Sequence, residues 1–322
     1  MPIPTHLITG FLGVGKTTAI RHLLARRPEN ERWAVLVNEF GQVGVDEQLL
    51  QDQTVAIRQI PGGCLCCVAS QAFTVGLNRL IREEQPGRIL IEPTGLGHPT
   101  RVIDTLTGEF YRDVLDVRAV LTLMDARHLA SPRHREHPNW QDQIRLADVL
   151  VANKADLYSD GDREAFLSFV REQDPPKALT ALVDNGALDP AWLDLPRDPR
   201  RVALHPGAHH HHHEHPDEST PPATDWWRVT QQGDGYYGAS WLLGPKVRLN
   251  HQRLSDWLQA QDLERIKGLV HTDRGWQSIN RIAGEGGLTP QADAPEGRLE
   301  IIHPDPLDME ALDRSLVNLR IT

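Results

Sequence analysis

The sequence predicts an α/β fold with a mostly parallel sheet, followed by a smaller α+β unit. Three observations predict it. Short β-rich runs alternate with amphipathic segments through the first two-thirds of the chain. The opening strand runs into a Gly-rich loop and then a helix. The alternation stops near Leu195 and a different pattern resumes at Trp226. At roughly 100–200 residues per domain, 322 residues suit two domains. The expected division is 1–194, a His- and Pro-rich connector over 195–225, and 226–322.

Leu7-Ile8-Thr9 reads as the first strand and Thr17 to Arg27 as the first helix. Trp33 to Val37 is continuously apolar, as in a strand buried on both faces. Further strands are expected at Val55–Ile60, Arg88–Ile91, Val117–Met124, Asp148–Ala152 and Leu179–Val183. Phe73, Leu77, Leu80 and Ile81 recur at helical spacing within Val68–Gln85. Other helices are expected at Thr100–Thr107, Gln141–Leu146 and Asp162–Glu172. Such alternation places helices on both faces of the sheet. In the second unit, strands are expected at Trp226–Gln231, Tyr236–Leu243, Lys246–Leu249, Arg265–Thr272, Gln277–Ile282 and Leu299–Ile302. Helices are expected at Leu254–Ala260 and Leu307–Leu319. No internal repeat is visible.

Composition narrows the function. Charged residues make up 24% and the formal net charge is −10. That balance argues against sequence-independent nucleic-acid binding and against docking on anionic lipid, both of which need a basic face. No apolar run approaches the roughly 20 residues that span a bilayer. The N-terminus lacks a basic segment followed by an apolar one, so no signal peptide is expected. All three cysteines lie in Cys64-Leu65-Cys66-Cys67. An odd, clustered set builds no disulfide framework, and reduced thiols fit the cytoplasm.

Gly10-Phe11-Leu12-Gly13-Val14-Gly15-Lys16-Thr17 fits G-x-x-x-x-G-K-[ST] in full. Glycines let the backbone turn its N–H groups toward phosphate, and the helix N-terminus adds partial positive charge. Gly10, Gly13, Val14, Gly15, Lys16, Thr17 and Thr18 are the expected phosphate cradle. Lys16 would reach the β- and γ-phosphates, and the Thr17 hydroxyl would ligate Mg²⁺.

Val149 to Ala152 runs into Asn153-Lys154-Ala155-Asp156. Guanine offers N1–H and N2–H₂ on one edge, and the Asp156 carboxylate can accept both. Adenine lacks that pair, so GTP is the expected nucleotide. Ile89-Leu90-Ile91-Glu92-Pro93-Thr94-Gly95 is an apolar strand, an acid and a glycine. It suits a second phosphate and Mg²⁺ motif, with Glu92 near the ion and the Gly95 N–H near the γ-phosphate. Glu39, just after the second strand, would orient water or touch a metal.

Pro61-Gly62-Gly63 precedes the cysteines and a helix follows. A helix N-terminus lowers thiol pKa values. Thiolates at Cys64, Cys66 and Cys67 suit Zn²⁺, Cu(I) or Co²⁺. Three ligands are one short of a closed structural zinc site. Water, Glu39, a histidine or a client protein could supply the fourth, and an open shell favours transfer. The plainer alternative is three buried cysteines acting as small hydrophobes. His209, His210, His211, His212, His213 and His215 lie mid-chain. They suit weak auxiliary metal capture or metal-promoted self-association, or they form a solvated loop without function. His134, His137 and His205 read as ordinary surface residues.

With these motifs in hand, the chain resembles the CobW-type GTPases of the metallochaperone family, closest to their zinc-binding YeiR subgroup. Leu7 to Gly13, Val37 to Gly41, Ile60 to Cys64 and Ile91 to Pro99 carry the resemblance, which covers nearly the whole chain and is densest over 5–99. It thins between Ala155 and Asp225. It returns at Trp226–Ile282, where Arg265-Ile266-Lys267-Gly268 resembles the hallmark of the C-terminal domain, and at Leu319-Arg320-Ile321-Thr322. Pro93 departs from the wider family, where Thr or Ser is common, but not from the subgroup. The resemblance implies a P-loop GTPase domain and a CobW C-terminal domain. It implies slow GTP hydrolysis, with Lys16, Thr17, Glu39 and Glu92 as catalytic residues, coupled to loading zinc into an unidentified metalloprotein client. The expected ligands are GTP, Mg²⁺ and Zn²⁺. The rival readings are a zinc buffer or sensor with a regulatory GTP site, and a small-molecule kinase, against which the guanine motif argues.

Overall fold

The computed structural model describes residues 1–37, 55–59, 71–93, 99–205, 225–233, 236–282, 284–291 and 296–321. Glu39, Cys64, Cys66, Cys67, Gly95 and the histidines 209–213 and 215 lie outside the described residues. The chain divides into two compact units, one within 1–205 and one within 225–321 among the described residues.

The first unit is built on a parallel sheet. Its strands are β1 (Ile3–Gly10), β2 (Trp33–Val37), β3 (Val55–Gln59), β4 (Arg88–Glu92), β5 (Leu115–Val117), β6 (Leu121–Met124), β7 (Val149–Asn153) and β8 (Leu179–Val183). They lie in the order β3-β2-β4-β1-β6-β7-β8, with β5 also against β1. The described pairings are all parallel; Leu7 lies opposite Ile91, and Gly10 opposite Leu123. Successive residues of a strand point to opposite faces. Val149, Leu150, Val151 and Ala152 are nevertheless all fully buried, so both faces are covered.

The helices of this unit are α1 (Lys16–Ala25), α2 (Gln71–Glu84), α3 (Pro99–Thr107), α4 (Pro132–Arg135), α5 (Pro138–Leu146) and α6 (Asp160–Arg171). The helical spacing read from sequence puts Phe73, Leu77 and Leu80 of α2 into one core with Leu36, Ile91, Val102 and Leu106. Ser159 caps α6 reciprocally with Asp162, which fixes its start before the first residue expected to be helical.

Two expectations need correction. Val117–Met124 is not one strand. The Arg118 N–H still bonds to the Thr5 carbonyl of β1, but the backbone leaves the ladder at Ala119 and Val120: the Ala119 N–H goes to the Leu195 carbonyl, and the Val120 N–H goes to Asp148 Oδ2. Competing partners far along the chain divide the run into β5 and β6, both against β1. Lys246–Leu249 is not a strand either. Pro245 begins a turn closed by the Val247 N–H on the Gly244 carbonyl, and only Leu249 makes isolated bridges.

The second unit is an antiparallel sheet in the order β13-β12-β11-β14-β10-β9. Its strands are β9 (Trp226–Gly233), β10 (Tyr236–Leu243), β11 (Arg265–Thr272), β12 (Gly275–Ile282), β13 (Glu285–Pro290) and β14 (Gly297–His303). The edge strand β13 was not expected; Gly286-Gly287 and Pro290 hide it from a β-propensity reading. Helices α7 (His251–Ala260) and α8 (Met309–Val317) supply Leu254, Trp257, Leu258 and Leu316 to a core with Trp241, Ile266, Ile279 and Ile301.

Candidate functional site

In the parallel sheet, β1, β4, β6, β7 and β8 all end on the same edge, which is where open α/β sheets bind ligands. The site is built from the segments that leave these five ends.

From β1 the chain enters the Gly-rich loop. Gly15 has φ +94° and stands just before α1. A Cβ there would sit 2.4 Å from Asn153 Nδ2, so neither the conformation nor the space admits another residue. Lys16 is buried, and its Nζ donates to the carbonyls of Gly10 at 2.9 Å and Phe11 at 3.1 Å. The ammonium therefore lies across the mouth of the loop. Val14 is fully buried, while Thr18 faces solvent from the first turn of α1. First-turn N–H groups have no acceptor within a helix and point outward along its axis. A phosphate placed there meets these donors and the helix dipole together.

From β4 comes Glu92, which is 1% exposed. Its Oε1 accepts a hydrogen bond of 2.9 Å from the Thr17 hydroxyl, 75 positions away. The two residues expected to hold Mg²⁺ are thus adjacent. A hydroxyl and a carboxylate oxygen form a hard donor set, which fits Mg²⁺ rather than a soft cation.

From β7 comes the base motif. The Asn153 side chain donates from Nδ2 to the Val14 carbonyl at 2.8 Å, and its Oδ1 accepts from the Gly186 N–H at 2.8 Å. Asn153 thus holds the Gly-rich loop and the Gly186 turn to the end of β7. Lys154 takes a left-handed conformation with φ +65°. Asp156 follows in a 3₁₀ turn, Ala155–Leu157, and is exposed to solvent.

Two contributors were missed in the sequence. Asp125 follows β6 and is 1% exposed. Arg127 grips it with Nε at 3.0 Å and a terminal nitrogen at 2.7 Å, and Lys154 Nζ lies 3.7 Å away. Burial pushes the Asp125 carboxyl up, but the Arg127 hydrogen bonds and nearby positive charge outweigh it and leave the group below its ordinary value. The signal was an apolar strand ending in an acid. The second contributor is Asp184-Asn185-Gly186, after β8. Gly186 has φ +70°, and a Cβ there would sit 2.6 Å from the Ala19 backbone nitrogen. The signal was an Asn-Gly pair directly after a strand.

His134 and His137 are not ordinary surface residues. Their rings stand edge-on to Phe11 of the Gly-rich loop at 5.4 and 5.0 Å, and His128 stacks on His134 at 3.9 Å. Burial, then the His134 charge, lowers the His128 pKa to about 4. His205 is also engaged: its ring nitrogen Nε2 lies 2.5 Å from Gln141 Oε1, and its backbone N–H donates to Asp142. Among the described residues no group of three or more His, Cys, Asp or Glu is placed to hold a metal ion.

The family model for the nucleotide-binding domain of CobW, HypB and UreG matches residues 4–179. The chain belongs to the CobW/HypB/UreG family of P-loop GTPases. Relatives agree with that assignment. The chain is 39% identical to a protein named zinc chaperone YeiR from Escherichia coli (strain K12), over 98% of each chain. It is 31% identical to zinc chaperone CobW of Pseudomonas aeruginosa over 48% of this chain and 49% of that one. Among solved structures, the Zn(II)-bound YjiA GTPase of E. coli aligns over the whole of both chains, with a TM-score of 0.43 and 20% identity. As a CobW-family protein, the chain carries its P-loop, Glu92 and base motif on one edge of one sheet. Among the described residues no helix is long and apolar enough to cross a membrane.

Proposed function

We propose that this CobW-family protein hydrolyses GTP and couples the cycle to capturing zinc and delivering it to a client protein. The observation that carries the nucleotide half is the seating of the base motif against the phosphate loop through Asn153, beside the Thr17–Glu92 pair. The zinc half is supported by the Cys64-Leu65-Cys66-Cys67 cluster and by full-length similarity to a protein named as a zinc chaperone.

In this reading Lys16 and the N–H groups at the start of α1 neutralise the β- and γ-phosphates. Thr17 and Glu92 would hold Mg²⁺, which when bound offsets charge building on the phosphoryl oxygens. Asp156 accepts N1–H and N2–H₂ of guanine. Glu39 and Gly95 respond to the γ-phosphate, and zinc is cargo on the thiolates of Cys64, Cys66 and Cys67. The 209–215 histidines supply weak auxiliary capture and allow self-association when metal is abundant. The working parts are the nucleotide-binding domain (1–194), the connector (195–225) and the C-terminal domain (226–322), in a protein of the cytoplasm.

The test is GTP hydrolysis by untagged protein with and without equimolar Zn²⁺, beside a Cys66→Ala variant. Zinc should change the wild-type rate, and the variant should lose the response. Identical turnover in all four conditions would leave a GTPase with an unrelated thiol cluster. Linkage adds a second check: if GTP tightens zinc binding, zinc must tighten GTP binding by the same factor.

A further inference from the structure

We propose that Tyr158 is a positioning residue for base selection, acting by strapping together the ends of β6 and β7. The proposal deepens the guanine reading above and rests on it.

Strands β6 and β7 are parallel neighbours, with Met124 opposite Ala152. One residue beyond each, the two chains must part: one into Asp125-Ala126, the other into Asn153-Lys154. Tyr158 returns to this divergence just after the 3₁₀ turn that carries Asp156. Its hydroxyl accepts a hydrogen bond of 2.8 Å from the Ala126 N–H and donates one to the Asn153 carbonyl. One buried oxygen therefore ties both exits and the far end of the Asp156 turn into a single knot. Burial holds the phenol well above its ordinary pKa, so the hydroxyl keeps the proton that it gives to Asn153.

The knot sits where the backbone is under load. Lys154 follows the Asn153 carbonyl directly and is one of three described non-glycine residues with positive φ. Such a conformation persists only where the surroundings enforce it. The Asn153 side chain is already committed to Val14 and Gly186. Its carbonyl is the remaining handle on the Lys154 peptide, and Tyr158 holds it. On the other side, Asp125 stands next to Ala126 and lies 3.7 Å from Lys154 Nζ. Releasing the strap frees the turn that aims Asp156, while the phosphate loop keeps its own supports.

The experiment compares wild type with Tyr158→Phe, which keeps the ring and removes the oxygen. Steady-state hydrolysis is measured with GTP and with ITP, which lacks the exocyclic N2 amine, and tripolyphosphate binding reports on the phosphate loop. KM for GTP should rise about tenfold with kcat within roughly twofold. The GTP-over-ITP ratio of kcat/KM should shrink, and tripolyphosphate affinity should stay at the wild-type value. An unchanged KM in Tyr158→Phe, or equal losses for GTP and ITP, would overturn the proposal. So would loss of tripolyphosphate binding in Tyr158→Phe, which would make the strap a general support of the fold. A wild-type protein that turns over ATP as readily as GTP would instead overturn the guanine reading itself, and the proposal with it.

Discussion

The side-chain amide of Asn153 donates to the carbonyl of Val14 at 2.8 Å, across 139 positions of the chain. This bond seats the Asn153–Asp156 segment on the Gly-rich loop, and Gly186 closes it from the other side. Asn153→Ala would leave a buried carbonyl and a buried N–H without these partners. Each such orphan costs roughly 1–3 kcal/mol, and the loops would no longer be held in register. Denaturant unfolding should show a loss of about 2–4 kcal/mol, and GTP titration a weakening of tenfold or more. Unchanged nucleotide affinity would show that Asn153 serves the fold alone.

The pairing of Thr17 with Glu92 predicts a metal phenotype rather than a binding phenotype. Glu92→Gln keeps an acceptor for the Thr17 hydroxyl but removes the charge. Turnover should fall about a hundredfold, with the Mg²⁺ dependence shifted to higher concentration. GTP binding without Mg²⁺ should change little. A Mg²⁺ titration of the hydrolysis rate decides it: an unmoved midpoint would take Glu92 away from the ion.

His6 makes stability depend on pH with a defined sign. It is fully buried in β1, and its Nε2 lies 3.1 Å from Arg88. Burial, with the charges of Arg88 and Arg118, lowers its pKa from 6.5 to about 3. Below pH 6.5 the unfolded chain takes up a proton that the folded chain refuses. The contribution is therefore fully present above pH 6.5 and is lost as pH falls toward about 3, by a total on the order of 5 kcal/mol. Carboxylates of the chain also change charge as acid is added, so the comparison must be internal. Unfolding free energies of wild type and His6→Gln at pH 7, 5.5 and 4.5 should diverge as acid is added. Parallel curves would refute the assignment.

In the second unit, Asp313 of α8 accepts the indole N–H groups of Trp226 and Trp241 on one oxygen, both at 2.9 Å, and Arg228 approaches the other at 3.3 Å. Burial pushes this carboxyl up, but the two indole bonds and Arg228 prevail and hold it below its ordinary value. Asp313→Ala removes the acceptor that both indoles share and should cost about 2–4 kcal/mol. Asp313→Asn keeps an acceptor and should cost less. Tryptophan fluorescence during unfolding reads this directly, and equal losses in the two variants would refute the shared-acceptor account.

How much of the fold and site was legible in the chain depends on how local each signal is. The phosphate loop and Asn153-Lys154-Ala155-Asp156 are contiguous, so the sequence displays them whole. Glu92 was legible because an apolar strand leads directly to it. Asp125 and Asp184-Asn185-Gly186 were not, because their roles depend on β6, β7 and β8 being neighbours, and alternation of strands and helices does not order the strands. The break between β5 and β6 was hidden for a related reason: the groups that divert Ala119 and Val120 belong to Leu195 and Asp148. His134 and His137 read as surface residues because their partner, Phe11, lies more than a hundred positions upstream. Tyr158 carried no signal, since a lone tyrosine after a turn is ordinary until both of its partners are seen.

The edge of the parallel sheet opposite the nucleotide loops is closed by carboxylates. Asp148 takes the N–H groups of Val120 and Asp198 and pairs with Arg201 at 2.9 Å. Asp142 takes those of Leu204 and His205. The first unit thus fastens its own trailing segment before the histidine-rich stretch begins. The consequence is evolutionary freedom. The stretch 206–224 can be lengthened, shortened or rewritten, its number of histidines included, without removing any of these fastenings. Its composition is free to vary while the motifs at the other edge of the sheet stay as they are.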